Sequence, residues 1–463
     1  MEEQQAEESI YGKDRAQYER MVTAPIPGLI LSLAVPTIIS MTVTALYNMA
    51  DTFFVSQLGT SASGAVGIVF SLMAMIQAVG FTLGMGSGSM ISRLLGRQER
   101  EAASQIASSA FFAAIGFGLL LTIFGLGFLD GLMHLLGTTD TILPYARDYA
   151  RYILLGAPIM CGSFVMNNHL RAQGKAALSM VGLSLGGVLN IALDPLFIFT
   201  FGLGISGAAI ATLISQCISF SILLSFFLRG KSVTVLHLKK VSRSFEDYAD
   251  IIHNGLPSLC RQGLASAATV ALNISAAAYG DPAVAAMSIV SRIFLFILSV
   301  MLGIGQGFQP VAGYNYGAGQ YARVRQAYWF TVRIGMIVMT TLAAAGFFFA
   351  PDIISLFRRG DAEVIAIGVA ALRWQCIALP LQPVMMGTNM VLQSVGKANS
   401  ATFLACNRQG VFFLPLILLL PKFLGLAGIE MSQALADAAS FAACLPYLYF
   451  FFRELHDKEA AGA

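Results

Sequence analysis

The sequence predicts an all-α polytopic membrane protein: twelve transmembrane helices in two six-helix bundles related by a parallel internal repeat. Three observations lead there. Of the 463 residues, 56% are apolar and only 11% are charged, against about 25% charged in soluble domains. Apolar runs of about 20 residues, long enough to cross a bilayer as a helix, recur along the whole chain. Finally, blocks of the first half reappear in the second at a constant offset.

The runs place helices at 28–56, 62–91, 105–129, 146–170, 176–200 and 204–229, then at 250–278, 283–312, 324–349, 362–394, 399–421 and 425–452. Connections as short as Phe201-Gly202-Leu203 and Gly280-Asp281-Pro282 suit helical hairpins, because an unpaired strand edge in lipid would strand its polar groups. Residues 1–24, Glu-rich and without an apolar core, read as a cytoplasmic tail with no cleavable signal peptide. The expected organisation continues with a first lobe at 25–229 and a basic cytoplasmic linker at 230–249. A second lobe at 250–452 and a cytoplasmic tail at 453–463 complete it.

Basic residues orient the chain. With the N-terminus inside, inner segments hold eighteen Lys and Arg and outer ones four, namely Arg147, Arg358, Arg359 and Lys422. Both termini are therefore expected in the cytoplasm, with the protein in the plasma membrane. The net charge of +3 gives no sign of a nucleic-acid partner. Six cysteines without a CxxC pair predict free, buried thiols, with neither disulfide nor metal site.

The repeat is visible without gaps. At an offset of 221, Gly59–Gly96 matches Gly280–Gly317 at ten of 38 positions, including Gly84 with Gly305 and Gly86 with Gly307. At an offset of 222, Pro158 pairs with Pro380, Asn167 with Asn389, and Gly174-Lys175-Ala176 with Gly396-Lys397-Ala398. Six helices separate equivalent positions, so both halves run the same way through the bilayer, an arrangement suited to alternating access.

Within this scaffold Asp51 stands out, near the end of an apolar run that begins at Gly28. An acid at bilayer depth costs about 2.5–3.5 kcal/mol on insertion scales and faces a wet cavity, a proton or a cation. Asn190 and Asp194 share a helix face at i, i+4. Counting about 1.5 Å per residue from the helix ends puts Asp51, Tyr149, Asn190, Asp194 and Thr212 in one layer below the outer surface. Their hard oxygens suit Na⁺, and two neighbouring carboxylates can equally share a proton. A possible Na⁺ site would use Asp51, Asn190, Asp194 and Thr212. The plainer alternative is that Asp194 caps or kinks its helix at Pro195 while Asp51 lies in a wet vestibule.

Offsetting Asp51 and Asp194 into the second half lands on Leu272 and Leu416, so ion coupling is expected in the first half. The second half offers Glu430 and Asp437, seven residues apart on one helix face, with Arg261, Arg373 or Arg408 as ion-pair partners and a structural role as the competing reading. Twenty methionines and 33 phenylalanines suit a cavity for bulky cations as well as ordinary packing. Tyr47, Asn48, Met49 and Met75 are the candidate lining of that cavity.

Enzyme chemistry finds no support. The clusters at Gly84–Gly88 and Gly303–Gly307 sit in membrane spans, where glycine permits close helix packing. No Walker motif or HExxH is present, and the Gly204-Ile205-Ser206-Gly207 stretch has no histidine placed as a base. No cofactor is expected beyond the coupling ion, H⁺ or Na⁺.

Tyr47-Asn48-Met49-Ala50-Asp51-Thr52-Phe53-Phe54-Val55 resembles the first-helix signature of the multidrug and toxic compound extrusion (MATE) transporters. The stretches from Gly305 to Ala318 and from Arg408 to Pro415 resemble its bacterial MepA-like and DinF-like branch. The resemblance implies a V-shaped, two-lobed antiporter that exports lipophilic cations in exchange for H⁺ or Na⁺, and the chain is expected to be monomeric. It also implies a first-lobe site at Asp51, Tyr149, Asn190, Asp194 and Thr212. A lipid-linked precursor flippase of the same superfamily is the alternative. NorM-like relatives carry a glutamate on helix 7 where this chain has Pro257-Ser258-Leu259-Cys260-Arg261-Gln262-Gly263, which argues against a NorM-like cation site in the second lobe.

Overall fold

The computed structural model describes residues 14–357 and 360–462; the expected basic positions Lys13, Arg358 and Arg359 lie outside them. Among the described residues there is no strand. The described residues form twelve long helices. The first six are α1 (Ile26–Ser56), α2 (Thr60–Gly96), α3 (Arg100–Gly127), α4 (Leu143–Ala172), α5 (Ala176–Thr200) and α6 (Gly204–Leu228). The second six are α7 (Phe245–Ala277), α8 (Asp281–Gly317), α9 (Tyr321–Phe348), α10 (Ala362–Ser394), α11 (Ala398–Leu424) and α12 (Leu426–Gly462). Short helices, Leu129–Leu135 and Ala350–Phe357, extend the connections after α3 and α9.

Eleven of the twelve are long and apolar enough to cross a membrane by length and composition. The exception is α7, where Arg261, Gln262 and Asn273 dilute the apolar run. Its 33 residues still reach about 50 Å at 1.5 Å per residue. α12 overruns its expected end at residue 452 and continues to Gly462. Beyond the span it is held by charged contacts: Lys397 and Lys458 both reach Glu454, and Arg325 reaches Glu459 at 3.2 Å.

Hydropathy and burial separate the roles of the helices. α4 is the least apolar of the first six spans, with mean hydropathy 1.3, and two-thirds (67%) of that window is buried. It packs on α2, α3 and α6 through small residues such as Ala150, Gly156, Ala157 and Gly162. By contrast α3, at 2.1, is only 28% buried. It leaves Leu119, Leu120, Ile123 and Phe124 exposed, as a lipid-facing helix should.

Contacts divide the chain into two units. Among the described residues, unit 1 holds 14–23 and Val35–Gly255, and unit 2 holds Ala24–Ala34 and those from Leu256 onward. The first third of α7 thus packs in unit 1, and the start of α1 in unit 2. Glycine makes both arrangements possible. In unit 1, a Cβ on Gly86 would lie 2.0 Å from the Ile251 carbonyl oxygen, and one on Gly255 would lie 2.1 Å from that of Thr82. In unit 2, a Cβ on Gly307 would lie 2.5 Å from Ala34 Cα. These are one contact written twice, because Gly86 and Gly307, like Ala34 and Gly255, stand 221 positions apart. So do Pro36 and Pro257, each of which removes a helical hydrogen bond just past the boundary.

Other details repeat as well. Asn167 Nδ2 donates to the Ser179 carbonyl at 3.2 Å, and Asn389 Nδ2 to that of Ala401 at 2.6 Å; both residues of the pair shift by 222. The glycine clusters near Gly84 and Gly305 serve close packing, against Asn168 and Met390, as the sequence predicts. Gly207, from the GxSG-like stretch, presses on the Phe197 carbonyl.

The linker is tied down within unit 1. A row of serines on α3 receives it: the amides of Val235, His237 and Ser242 donate to Ser104, Ser108 and Ser109 hydroxyls at 2.8–3.2 Å. Gln173 accepts from Ser232 and from the Val233 amide, and donates to Thr234. The extended strap thereby finds partners for backbone groups that a sheet would otherwise satisfy. The six thiols are free. Only Cys161, Cys376 and Cys444 are buried as expected, whereas Cys217, Cys260 and Cys406 are partly exposed, on helix faces that their neighbours only partly cover.

Candidate functional site

The five-residue layer assembles in unit 1. Asp51 from α1, Tyr149 from α4, Asn190 and Asp194 from α5 and Thr212 from α6 are all 9% exposed or less. The Tyr149 hydroxyl donates to Asp51 Oδ2 at 3.4 Å. Asn190 Nδ2 serves both Asp194 Oδ1, at 3.3 Å, and Thr212 Oγ1, at 3.2 Å. The Asp51 and Asp194 carboxylates are close enough to interact electrostatically, and the Tyr149 and Thr212 hydroxyls are within reach of each other.

Local sequence explains the placement. The i, i+4 spacing of Asn190 and Asp194 stacks them on one face of α5. Pro195 then lacks an amide to continue the ladder, and the chain widens into a π-helical segment, Leu196–Thr200. Gly207 lets α6 press against that segment, which brings Thr212 beside Asn190.

What remains unsatisfied defines the chemistry. Asp51 Oδ1, Asn190 Oδ1 and Asp194 Oδ2 are buried and have no hydrogen-bond partner among the described residues. All three are acceptors. No lysine or arginine pairs with either carboxylate among the described residues. A set of hard oxygens without a counter-charge fits a proton or an alkali cation. The donor set thus fits Na⁺, which Asp51, Asn190, Asp194 and Thr212 would hold.

The four candidate cavity residues separate. Tyr47 is buried beside the carboxylates, against Gly187. Asn48 is half-buried, and Met49 and Met75 are 48% and 52% exposed. Only Tyr47 therefore joins the polar layer. Of the second-half acids, Glu430 is half-buried, while Asp437 is buried and pairs with Arg408, one of the three arginines the sequence offered. The other two are engaged elsewhere: Arg261 with Asn389 and Arg373 with the Phe347 carbonyl. Sequence reasoning missed Gln382 and Gln433, which complete the Asp437 cluster. The Gln433–Asp437 spacing of i, i+4 was the available signal.

A doubled six-helix scaffold with a buried, uncompensated acid pair in one half is the layout of a membrane transporter. The family follows from comparison: the MatE family model matches residues 36–196 and again 257–419, once in each half, and the chain belongs to that family. It is 25% identical over 438 residues to the multidrug export protein MepA of Staphylococcus saprophyticus, covering 94% of this chain and 96% of that one. Against MepA of Staphylococcus aureus (strain MSSA476) it is 26% identical over 429 residues, covering 92% and 94%. Among solved structures, MATE in complex with MaL6 superposes with a TM-score of 0.90 at 29% identity, over 95% of this chain and 99% of that one. An outward-facing multidrug resistance MATE transporter superposes at 0.89 and 29%, over 95% and 98%. These relatives place the chain with the MATE transporters in fold and class.

Proposed function

We propose that this transporter exports lipophilic cations by alternating access, in exchange for H⁺ or Na⁺ taken up at Asp51, Tyr149, Asn190, Asp194 and Thr212. The three unpartnered acceptor oxygens at that layer carry the reading. Loading them with a proton or Na⁺ removes the cost of two uncompensated carboxylates and so favours one state of the transport cycle. Substrate favours the other, and the two couple through that difference. Multidrug export by the MepA relatives supports the substrate class.

We place the monomeric protein in the plasma membrane with both termini cytoplasmic, with lobes at 25–229 and 250–452. The flippase alternative needs embedded arginines free to hold a pyrophosphate. Of the six helix-embedded arginines, Arg151, Arg261, Arg292, Arg333, Arg373 and Arg408, four are engaged within their own unit: Arg151 with Asp148, Arg261 with Asn389, Arg373 with Phe347, and Arg408 with Asp437. That supports drug export.

The test is reconstitution in liposomes, with a Na⁺ gradient and a pH gradient imposed separately while efflux of a cationic dye is followed. One gradient should drive efflux, and Asp51→Asn should slow it about 10- to 100-fold. Undiminished dye transport by Asp51→Asn would remove that residue from the mechanism.

A further inference from the structure

Unit 2 has a buried charged centre of its own. Asp437, 1% exposed, receives hydrogen bonds from three helices. Arg408 Nε of α11 donates to Oδ1 at 2.7 Å, and Gln433 Nε2 of α12 donates to the same oxygen at 2.9 Å. Gln382 Nε2 of α10 donates to Oδ2 at 2.7 Å. The guanidinium also lies over the Phe294 ring, 5.4 Å from its centroid.

The pairing is incomplete in an informative way. Arg408 meets the carboxylate through Nε alone, without the two-pronged contact that guanidinium and carboxylate often make. Its Nη2 is buried with no partner among the described residues, and so is Oε1 of Gln382, a residue with no exposed surface. Arg408 also stands within a π-helical segment, Asn407–Phe413, just as a π-helical segment follows Asp194 in unit 1.

The repeat shows what this centre replaces. An offset of 222 maps Arg408 onto Gly186 and Asp437 onto Ser215. Those residues also face each other in unit 1, where a Cβ on Gly186 would lie 3.3 Å from the Ser215 carbonyl oxygen. The same helix crossing is thus uncharged in unit 1, whose acid lies eight residues further along α5. In unit 2 it holds a carboxylate and, on the facing helix, a cation.

We propose that Asp437, Gln382 and Gln433 form a second cation site of this fold whose cation is supplied by the chain itself, as the guanidinium of Arg408. Unit 2 then has no exchangeable ion, and the transporter works with one ion-exchanging centre. Arg408 is the residue that sets this number. The proposal rests on the ion-coupling reading of unit 1 for its meaning in transport, but the site itself can be tested without transport.

Removing the side chain should open a site that takes a planar, hydrogen-bond-donating monocation. The experiment measures melting temperature in detergent for the wild type, Arg408→Gly and the double variant Arg408→Gly/Asp437→Asn. Millimolar guanidinium chloride is compared with equal NaCl and tetramethylammonium chloride. Arg408→Gly should melt about 5 °C or more below the wild type, because it strands a buried carboxylate. Guanidinium should recover at least half of that loss, and tetramethylammonium, which has no N–H to donate, none of it. The wild type and the double variant should not respond.

Equal responses of Arg408→Gly to all three salts, or stabilisation of the double variant by guanidinium, would overturn the proposal. Should Arg408→Gly fail to fold, Arg408→Ala expressed and purified with and without guanidinium decides. Folded protein recovered only with guanidinium supports the site, and no difference between the preparations overturns it. Repeating the series in Asp51→Asn keeps the readings apart, since the guanidinium response persists there whatever Asp51 does in transport.

Discussion

Unit 1 gathers two carboxylates, an amide and two hydroxyls without a paired positive charge, whereas unit 2 sets an arginine directly on its one deeply buried carboxylate. The scaffolds around them are alike down to single hydrogen bonds, as Asn167 and Asn389 show. Duplication evidently preserved packing while the polar centres diverged. Packing constrains backbone contacts on every side, but a buried charge needs only to be balanced. Balance can come from an ion in solution or from a neighbouring side chain, and the two halves differ in that choice.

This contrast predicts opposite responses to the same kind of substitution. Asp437→Asn leaves the Arg408 guanidinium without its counter-charge and should cost about 3 kcal/mol of stability, read by thermal melting. The ion dependence of transport should survive in whatever protein folds. Asp51→Asn should do the reverse: dye efflux falls about 10- to 100-fold, while melting temperature stays level or rises, because an uncompensated carboxylate has gone. If both variants lose transport and neither loses stability, the contrast between the units is wrong.

The shared scaffold should respond symmetrically. Gly86→Leu and Gly307→Leu each drive a side chain into the backbone of a neighbouring helix and should each cost about 2 kcal/mol. A large difference between their melting temperatures would mean that the repeat-related contacts are not energetically equivalent.

The smallest effect concerns an exposed pair at the connection between α3 and α4 in unit 1. The hydrogen bond from Arg147 holds the Asp130 carboxyl below its ordinary range. A carboxyl lowered in the folded state contributes stability above its unfolded pKa and loses it as pH falls through the folded value, here below about pH 4. Both side chains are about half exposed, so Arg147→Gln should move the melting temperature at pH 7 by no more than about 1 °C. It should also flatten the dependence on acid pH. A larger shift at neutral pH would give surface charge more weight than the buried centres allow.

Much of this was legible in the sequence. Apolar runs locate the helices to within about five residues, the end of α12 excepted, because hydrocarbon leaves few alternatives for a backbone. The clustering of the five polar residues followed from helix direction and residue counts, since Asp51 and Asp194 are costly enough to stand out. The exposure of Met49 and Met75 was not legible, because they are common residue types whose helix face only packing decides. Asp437 had three plausible partners, and nothing in the linear pattern favoured Arg408. The helix ends shared between units were hidden as well. Gly86 and Gly255 look like any glycines in a membrane span until a neighbouring backbone is seen against them.

That last feature bears on how such a chain could have arisen. Ala24–Ala34 belongs to the unit built from the second repeat, and the start of α7 to the unit built from the first. A lone ancestral half would have carried both the groove at its second helix and the leading segment that fits such a groove, as the repeat-related contacts of Gly86 and Gly307 show. In this chain each repeat instead lends that segment to the other's unit, as arm-exchanged dimers do. Fusion would then have fixed the exchange in a single chain. A cut in the linker should therefore give two fragments that must be made together to be stable, each carrying a piece of the other.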